Sequence, residues 1–392
     1  MEPVRQENDR FLALCRYEDV ANLDMAFPIF QIGVFTHNYD LWATNRKISG
    51  ISCDTRIHMP RMVYPLLRSR YSCTFIYIKN SNKMGKILDT SQSLVSVIIP
   101  NYCHSKYLDE RINSVLSQSY QNFEIIILDD CSPDGGASRR VIEKYRLNPH
   151  VSHILYNDEN SGSTFVQWNK GFSLAKGDYI WIAESDDSCD DRLLEALVAL
   201  LDKSASISVA FCKSVAFNEN GLWKPIGYQG EEDLVLEGCQ FIHDRMRSGT
   251  GILNASSAVF RKKMLLQLQG VYRDFKASGD RMFWIEMAEQ GDVAYARMGL
   301  NKYRMHPANS TKKFGATGIN QREDKKILDY LLRGKYITPL EYKKCADIYV
   351  RVHIFEMITD KKLKKDLYKV WNVSAFRQFL YRVKAWRRRL SV

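Results

Sequence analysis

Two acidic runs stand where carboxylates could do chemistry, Asp129-Asp130 and Glu184-Ser185-Asp186-Asp187. Each follows an apolar stretch, Phe123 to Leu128 in the first case and Tyr179 to Ala183 in the second. Short apolar runs of this kind read as buried strands, and in open parallel sheets the loops past the strand C-termini form the ligand crevice. Successive crossovers can therefore bring both runs to one sheet edge. Acids are also common on solvated loops, so either run alone is a weak signal; their shared position after apolar strands strengthens it. A diphosphate at that edge would be repelled by four bare acids. A hard divalent ion, Mg2+ or Mn2+, resolves the conflict, because carboxylates can hold it while coordination positions stay open for phosphate oxygens and a nucleotide leaving group.

The elements that must position these acids follow from periodicity. Leu94 to Ile99 reads as a buried strand ended by Pro100 and Asn101, and Leu108, Ile112, Val115 and Leu116 recur at helical spacing before the strand at Phe123. A helix from Ala137, a strand at Val151 to Tyr156 and a helix at Thr164 to Ala175 lead to the strand at Tyr179, with a further helix at Leu193 to Leu201. Strands at Ile207 to Cys212 and Ser256 to Phe260 and a helix at Asp280 to Gln290 extend the pattern, while residues 213–250 read as polar loops beside the substrate. Such alternation predicts an α/β fold with a mostly parallel sheet flanked by helices. Residues 323–332 and 339–360 read as helices, with Pro339 suited to a helix start. The expected organisation is an N-terminal accessory region of unassigned fold (1–92), a catalytic layer (93–315) and a helical appendage (316–392).

Composition narrows the class. The chain has 392 residues, 45% apolar and 26% charged, which excludes a wholly disordered or fibrous protein. The net charge is +11, but residues 361–392 carry eleven Lys or Arg against Asp366 alone, so the body is nearly neutral and nucleic acid is not an expected partner. In the tail, Phe376, Phe379, Leu380, Val383, Trp386 and Leu390 recur at helical spacing among Arg377, Arg382, Lys384 and Arg387 to Arg389. This pattern predicts peripheral contact with an anionic membrane surface, with packing on the body or on a protein partner as the alternatives. Nine cysteines without a CxxC spacing suggest reduced thiols. Neither a secretory signal nor an apolar run of about 20 residues is recognisable, so the expected location is the cytoplasm, at the inner face of the membrane. The first crossover lacks GxGxxG, which disfavours a dinucleotide-binding dehydrogenase.

The order of motifs from Val95 to about Asn309 resembles a family 2 glycosyltransferase of GT-A-like fold, of the bacterial cell-surface polysaccharide type. The resemblance opens on Ser96-Val97-Ile98-Ile99-Pro100-Asn101-Tyr102, continues through Tyr107-Leu108, Ser114 to Gln118 and Asp129-Asp130-Cys131-Ser132-Pro133-Asp134, and includes Asn160-Ser161-Gly162 and Gln167 to Gly171. It then runs through Ala175 to Tyr179 into Ile180 to Asp187, and later through Ser278-Gly279-Asp280 and Arg304-Met305-His306. The resemblance implies a nucleoside-binding wall of Pro100, Tyr102, Asp129 and Asp130, metal ligands in Asp186 and Glu184, and Asp187 as an organiser of the bound donor. Glu184 replaces the common first aspartate, and Cys131 stands where glycine is frequent. Asp280 takes the position of the catalytic base, with helix capping as its structural alternative. Arg304 and His306 are implied to meet phosphate. Trp168 and Trp284 could stack on sugars, although core packing suits them better.

The activity so implied is metal-dependent, inverting transfer of a sugar from a nucleotide-diphosphate-sugar to a hydroxyl of a saccharide or lipid-linked saccharide. The absence of a glutamine-x-x-arginine-tryptophan element after Asp280 favours single additions over processive synthesis. A nucleotide-sugar-binding protein without turnover is the alternative.

Overall fold

The computed structural model describes residues 11–16, 30–35, 41–45, 72–76, 93–221, 223–249, 251–306 and 317–390. Two compact units result, Met1–Thr90 and Ser91–Val392. In the first, β1 (Phe11–Arg16), β2 (Phe30–Phe35), β3 (Leu41–Asn45) and β4 (Ser72–Ile76) form an antiparallel sheet in the order β3-β2-β1-β4. β2 and β4 fall in the apolar stretches around Phe30 to Phe35 and Ser72 to Ile76; apart from these four strands, residues 1–92 lie outside the described residues.

The second unit begins with the predicted alternation. It comprises β5 (Val95–Asn101), α1 (Ser105–Leu116), β6 (Phe123–Asp129), α2 (Ala137–Glu143), β7 (Val151–Tyr156), α3 (Thr164–Leu174) and β8 (Tyr179–Ile182). These strands pair in parallel as β8-β5-β6-β7. All seven residues of β5 and of β6 are buried, as expected of strands covered on both faces. Alternate residues serve two cores: Ile98, Ile126, Ile180 and Ile182 face α3, whereas Val97, Ile99, Ile125 and Trp181 face α1. Gly171 lets α3 lie close on β5, because a Cβ there would sit 2.6 Å from Ile98 Cγ2.

The remaining strands make the sheet mixed. After β9 (Ser188–Cys189) and α4 (Leu193–Asp202) come β10 (Ile207–Phe217), β11 (Lys224–Ile226), β12 (Leu234–Leu236), the short α5 (Gly238–Phe241) and β13 (Ala258–Arg261). Next follow α6 (Gly279–Glu289) and the long β14 (Asp292–Arg304). The order is β12-β14-β10-β13-β8-β5-β6-β7, with β13 antiparallel to both β8 and β10 and with β10 parallel to β14. The 213–250 stretch, expected as loops, thus contributes the end of β10, two short strands and α5.

Helices α7 (Ile319–Arg333), α8 (Pro339–Tyr349), α9 (Lys361–Val370) and α10 (Ala375–Leu390) complete the unit. Pro339 opens α8 behind a reciprocal Thr338/Glu341 capping box. These helices are not independent of the catalytic layer: Ile327, Leu331, Ile354, Leu367 and Trp371 belong to the same apolar cluster as Trp168, Phe283 and Trp284. Among the described residues, no helix is long and apolar enough to cross a membrane.

Candidate active site

The parallel topology brings the C-terminal ends of β5, β6 and β8 to one edge, but their acids point to different tasks. Asp129 ends β6 with Oδ1 accepting from Asn101 Nδ2 at 2.6 Å and from Ser132 Oγ at 2.7 Å, and Oδ2 accepting from the Ser132 amide at 3.1 Å. Asp130 accepts from the side chains of Asn157, Asn160, Ser161 and Gln167 and from the Ser161 amide, at 2.6 to 3.1 Å. Both carboxylates therefore brace the walls, Asp129 between β5 and the 130–134 turn and Asp130 across the 157–161 loop. Pro100 is buried at the end of β5, whereas Tyr102, just beyond it, is 45% exposed at the mouth. Cys131 adopts φ +56°, the left-handed region in which glycine is comfortable, and so does Cys103 at +59°.

The second acidic run divides similarly. Asp186 Oδ2 lies 2.9 Å from His306 Nε2, and His104, Asp186 and His306 each offer a ligand atom within 4.8 Å of the others. His104 stands at the head of α1, its Nδ1 2.9 Å from Ser185 Oγ, and burial lowers its pKa. Burial opposes the charge of Asp186, but the His306 hydrogen bond and the neighbouring imidazoles outweigh it and hold the carboxyl below its ordinary range.

Glu184 lies outside this group. Its amide donates to Ser256 Oγ at 3.0 Å and its carbonyl accepts from Arg111 Nε at 2.9 Å, while its Oε1 accepts from Trp168 Nε1 at 3.1 Å. Burial, reinforced by Asp186 and Asp187, pushes the Glu184 carboxyl up to about 8. Asp187 faces the interior, accepting from the Arg304 amide and from Asn254 Nδ2, both at 2.9 Å. Fully buried Arg111 stands 4.0 Å from Asp187 and offsets part of the acidic run, yet burial still pushes Asp187 up to about 6. Among the described residues, the group whose donor atoms lie close enough to share one ion is His104, Asp186 and His306; of the two expected carboxylate ligands it contains Asp186 and not Glu184.

Arg304, expected at a phosphate, ends β14 inside the protein. Its Nε donates to the Asp186 carbonyl at 2.8 Å, its Nη2 pairs with Glu110, and its guanidinium lies 4.7 Å from the Tyr107 ring and 4.3 Å from Phe217. His306 packs against Tyr107 and His104, with ring centroids 5.1 and 5.5 Å away. Residues 307–316, which include the last residues of the Arg304-Met305-His306 motif region, lie outside the described residues.

Asp280 heads α6. Gly279 before it touches Phe165 so closely that a Cβ would come within 2.4 Å of that ring. Phe165 meets Trp168 edge-on at 5.1 Å, and Trp168 bonds Glu184, so an aromatic bridge joins the helix head to the acidic run. Trp168 and Trp284 are 1% and 0% exposed, as core residues should be. Asp280 Oδ1 accepts from the Arg281 amide at 2.7 Å and its Oδ2 accepts no hydrogen bond among the described residues. Burial pushes this carboxyl up to about 6. The turn before α6 is capped instead by Glu323 of α7, which accepts from the amides of Lys276, Ala277 and Ser278 at 2.7, 2.9 and 2.7 Å.

His104, Arg111 and Glu323 escaped the sequence reading. Arg111 carried one signal: it lies three residues after Leu108 and four before Val115, on the apolar face of α1. Glu323→Ala is expected to lower kcat about tenfold and Tm by a few degrees, as three amides lose a charged partner, with donor affinity preserved. Steady-state kinetics beside thermal unfolding would check it; a drop in Tm with unchanged kcat would leave Glu323 a purely structural brace.

The sequence model described as "Glycosyl transferase family 2" matches residues 96–268. The putative teichuronic acid biosynthesis glycosyltransferase TuaG of Bacillus subtilis is 37% identical over 210 residues, covering 53% of this chain and 76% of TuaG. The chain belongs to glycosyl transferase family 2. This glycosyltransferase is also 30% identical to the putative glycosyltransferase EpsE of B. subtilis over 51% of its length and 69% of EpsE. Its fold is shared with S. aureus TarS 1-349 in complex with UDP-GlcNAc, at a TM-score of 0.52 and 18% identity over 70% of this chain and 79% of that one. The family 2 enzyme therefore has a GT-A-like core, as its motif order implied.

Proposed function

We propose that this glycosyltransferase moves a sugar from a nucleotide-diphosphate-sugar to a hydroxyl of a saccharide or lipid-linked saccharide, with inversion and one addition per encounter. The reading places it in cell-surface polysaccharide synthesis at the cytoplasmic side, in line with its likeness to the teichuronic acid biosynthesis glycosyltransferase TuaG. The observation that carries it is the convergence of His104, Asp186 and His306 at the sheet edge of a family 2 fold. Two imidazoles with one carboxylate form a mixed nitrogen and oxygen donor set that suits Mn2+ better than Mg2+, which prefers oxygen and keeps its waters. Such an ion, when bound, would offset charge on the departing nucleotide diphosphate.

The residues of the chain do the rest. Tyr102 offers a wall for the nucleoside, with buried Pro100 fixing the end of β5 behind it and the Asp129 and Asp130 networks bracing both. Asp187, Arg111 and Arg304 fix the backbone from which Asp186 projects. Asp280 accepts the acceptor hydroxyl proton as that oxygen bonds to the anomeric carbon, and the bond from that carbon to the diphosphate oxygen breaks with its electron pair. Glu219, just past the end of β10, pairs with Lys106 of α1, and nearby exposed Trp223 stacks on Phe217 at 5.2 Å, an aromatic face suited to a saccharide.

The test is a donor screen, with UDP-, GDP- and dTDP-sugars titrated with and without Mn2+ and products followed by mass spectrometry. Saturable, Mn2+-dependent binding of one donor class and acceptor-dependent product are expected. Binding without product across a broad acceptor panel would support the non-catalytic alternative, and absence of any donor binding would overturn the reading.

A further inference from the structure

Helix α10 is attached to the body by one side. Tyr381 is 2% exposed, its hydroxyl donating to Asp347 Oδ1 at 2.6 Å, and Arg377 pairs with the same carboxylate at 3.1 Å. The Tyr381 ring also meets Phe355 at 5.8 Å. At about 100° per residue, Phe376, Phe379 and Leu380 fall together on the side turned away from Tyr381. They are 69%, 58% and 37% exposed. A surface helix ordinarily turns its apolar stripe to the core and its polar side to water. Here the buried Tyr381 ring, its hydroxyl and Arg377 make the attachment, and the stripe of Phe376, Phe379 and Leu380 is left outside.

The charge around this stripe selects its partner. Residues 361–392 hold eleven Lys or Arg and one acid, and Lys361, Lys362, Lys365 and Lys369 of α9 are exposed. A second copy of the chain would bring two such tails together against their mutual repulsion, which disfavours self-association through this face. A neutral protein groove would leave the cations without a counterpart. An anionic bilayer satisfies both features, since its boundary region takes apolar side chains while its phosphates attract lysine and arginine.

We propose that the outward stripe of α10 docks on an anionic lipid surface, with Phe376, Phe379 and Leu380 entering the headgroup and acyl boundary and the exposed lysines of α9, Lys361, Lys362, Lys365 and Lys369, facing the phosphates. The attachment is peripheral and needs both parts, because one modest apolar insertion or one polybasic patch alone gives only marginal, reversible binding. Such docking would hold the catalytic edge near acceptors carried on lipid.

The experiment is co-sedimentation of the full-length protein with phosphatidylcholine vesicles, with or without phosphatidylglycerol. The wild type should pellet with the anionic vesicles, stay in solution with the neutral ones, and be released as salt rises. Phe376→Ser/Phe379→Ser/Leu380→Ser should cut the bound fraction about tenfold with Tm unchanged. Lys361→Ser/Lys362→Ser/Lys365→Ser should weaken binding and flatten its salt dependence. Equal binding to both vesicle types, undiminished binding by the triple apolar variant, or no sedimentation with either would overturn the proposal, as would a salt-stable dimer formed through this face. Vesicle binding is read without sugar transfer, so its failure leaves the assigned chemistry standing.

Discussion

Asp280→Asn is expected to lower acceptor-dependent turnover by about 10^2- to 10^4-fold, the range that a positioned general base supplies. Donor affinity should stay within about twofold of the wild type, because the role proposed for Asp280 is toward the acceptor hydroxyl and not toward the donor. The expectation rests on how the carboxyl is presented. Gly279 seats the head of α6 against Phe165, so the backbone that carries Asp280 is held by packing. One oxygen holds the Arg281 amide and the other accepts nothing among the described residues. Asparagine keeps the shape and one acceptor oxygen, so Tm should hardly move and any loss should fall on kcat.

The pH dependence gives an independent readout. Burial pushes the Asp280 carboxyl up to about 6, with the nearby Asp324 charge acting in the same direction and the Arg281 amide acting against it. Only the ionised form can take a proton, so kcat/KM should rise with pH through about 6 and level off above it. The rising limb should vanish from the residual activity of Asp280→Asn. A variant that keeps full turnover, or that keeps the limb, would move the base elsewhere.

What the sequence revealed and what it hid follow from the range of the interactions involved. Strands β5, β6 and β8 are buried on both faces, so their composition alone marks them, and the acids after them mark the ligand edge. Strand β14 was missed because its pattern is irregular: Arg297, Met298 and Gly299 are exposed in its middle, and the pairing with β10 slips between Cys212 and Ser214. That strand delivers Arg304 and His306, so the neighbour relations of both were hidden with it. The motif resemblance implies a phosphate contact for Arg304; only the fold reveals the Tyr107 and Phe217 rings against its guanidinium.

Carboxylate direction was the other hidden quantity. Asp129, Asp130, Glu184, Asp186 and Asp187 are equivalent as charges in the sequence. For four of them orientation is decided by partners remote along the chain: Asn157 and Gln167 for Asp130, Trp168 for Glu184, Asn254 for Asp187 and His306 for Asp186. Motif resemblance carried the identity of the edge across this gap but not the aim of its side chains.

Asp186→Asn should weaken Mn2+-supported donor binding by about 100-fold or more, since even changes behind a metal's direct ligands commonly cost 10- to 100-fold. The change is local, because the Asp186 carbonyl keeps the Arg304 side chain whatever the carboxyl becomes. His306→Ala should act in the same direction with a smaller loss, the carboxylate being the charged member of the set. Asp187→Asn is the informative neighbour. Its carboxylate accepts from Asn254 and the Arg304 amide and faces buried Arg111, so removing its charge should reduce stability, by about 3 kcal/mol if Arg111 is left poorly compensated. Mn2+ affinity of the folded fraction should survive. Two adjacent aspartates would then separate cleanly, one losing cation dependence at nearly constant Tm and the other losing Tm at nearly constant cation dependence. Isothermal titration of donor with and without Mn2+, beside thermal unfolding, reads both. If Asp186→Asn retained its Mn2+ response while Glu184→Gln lost it, the cation would belong with Glu184 and the two imidazoles would need another role.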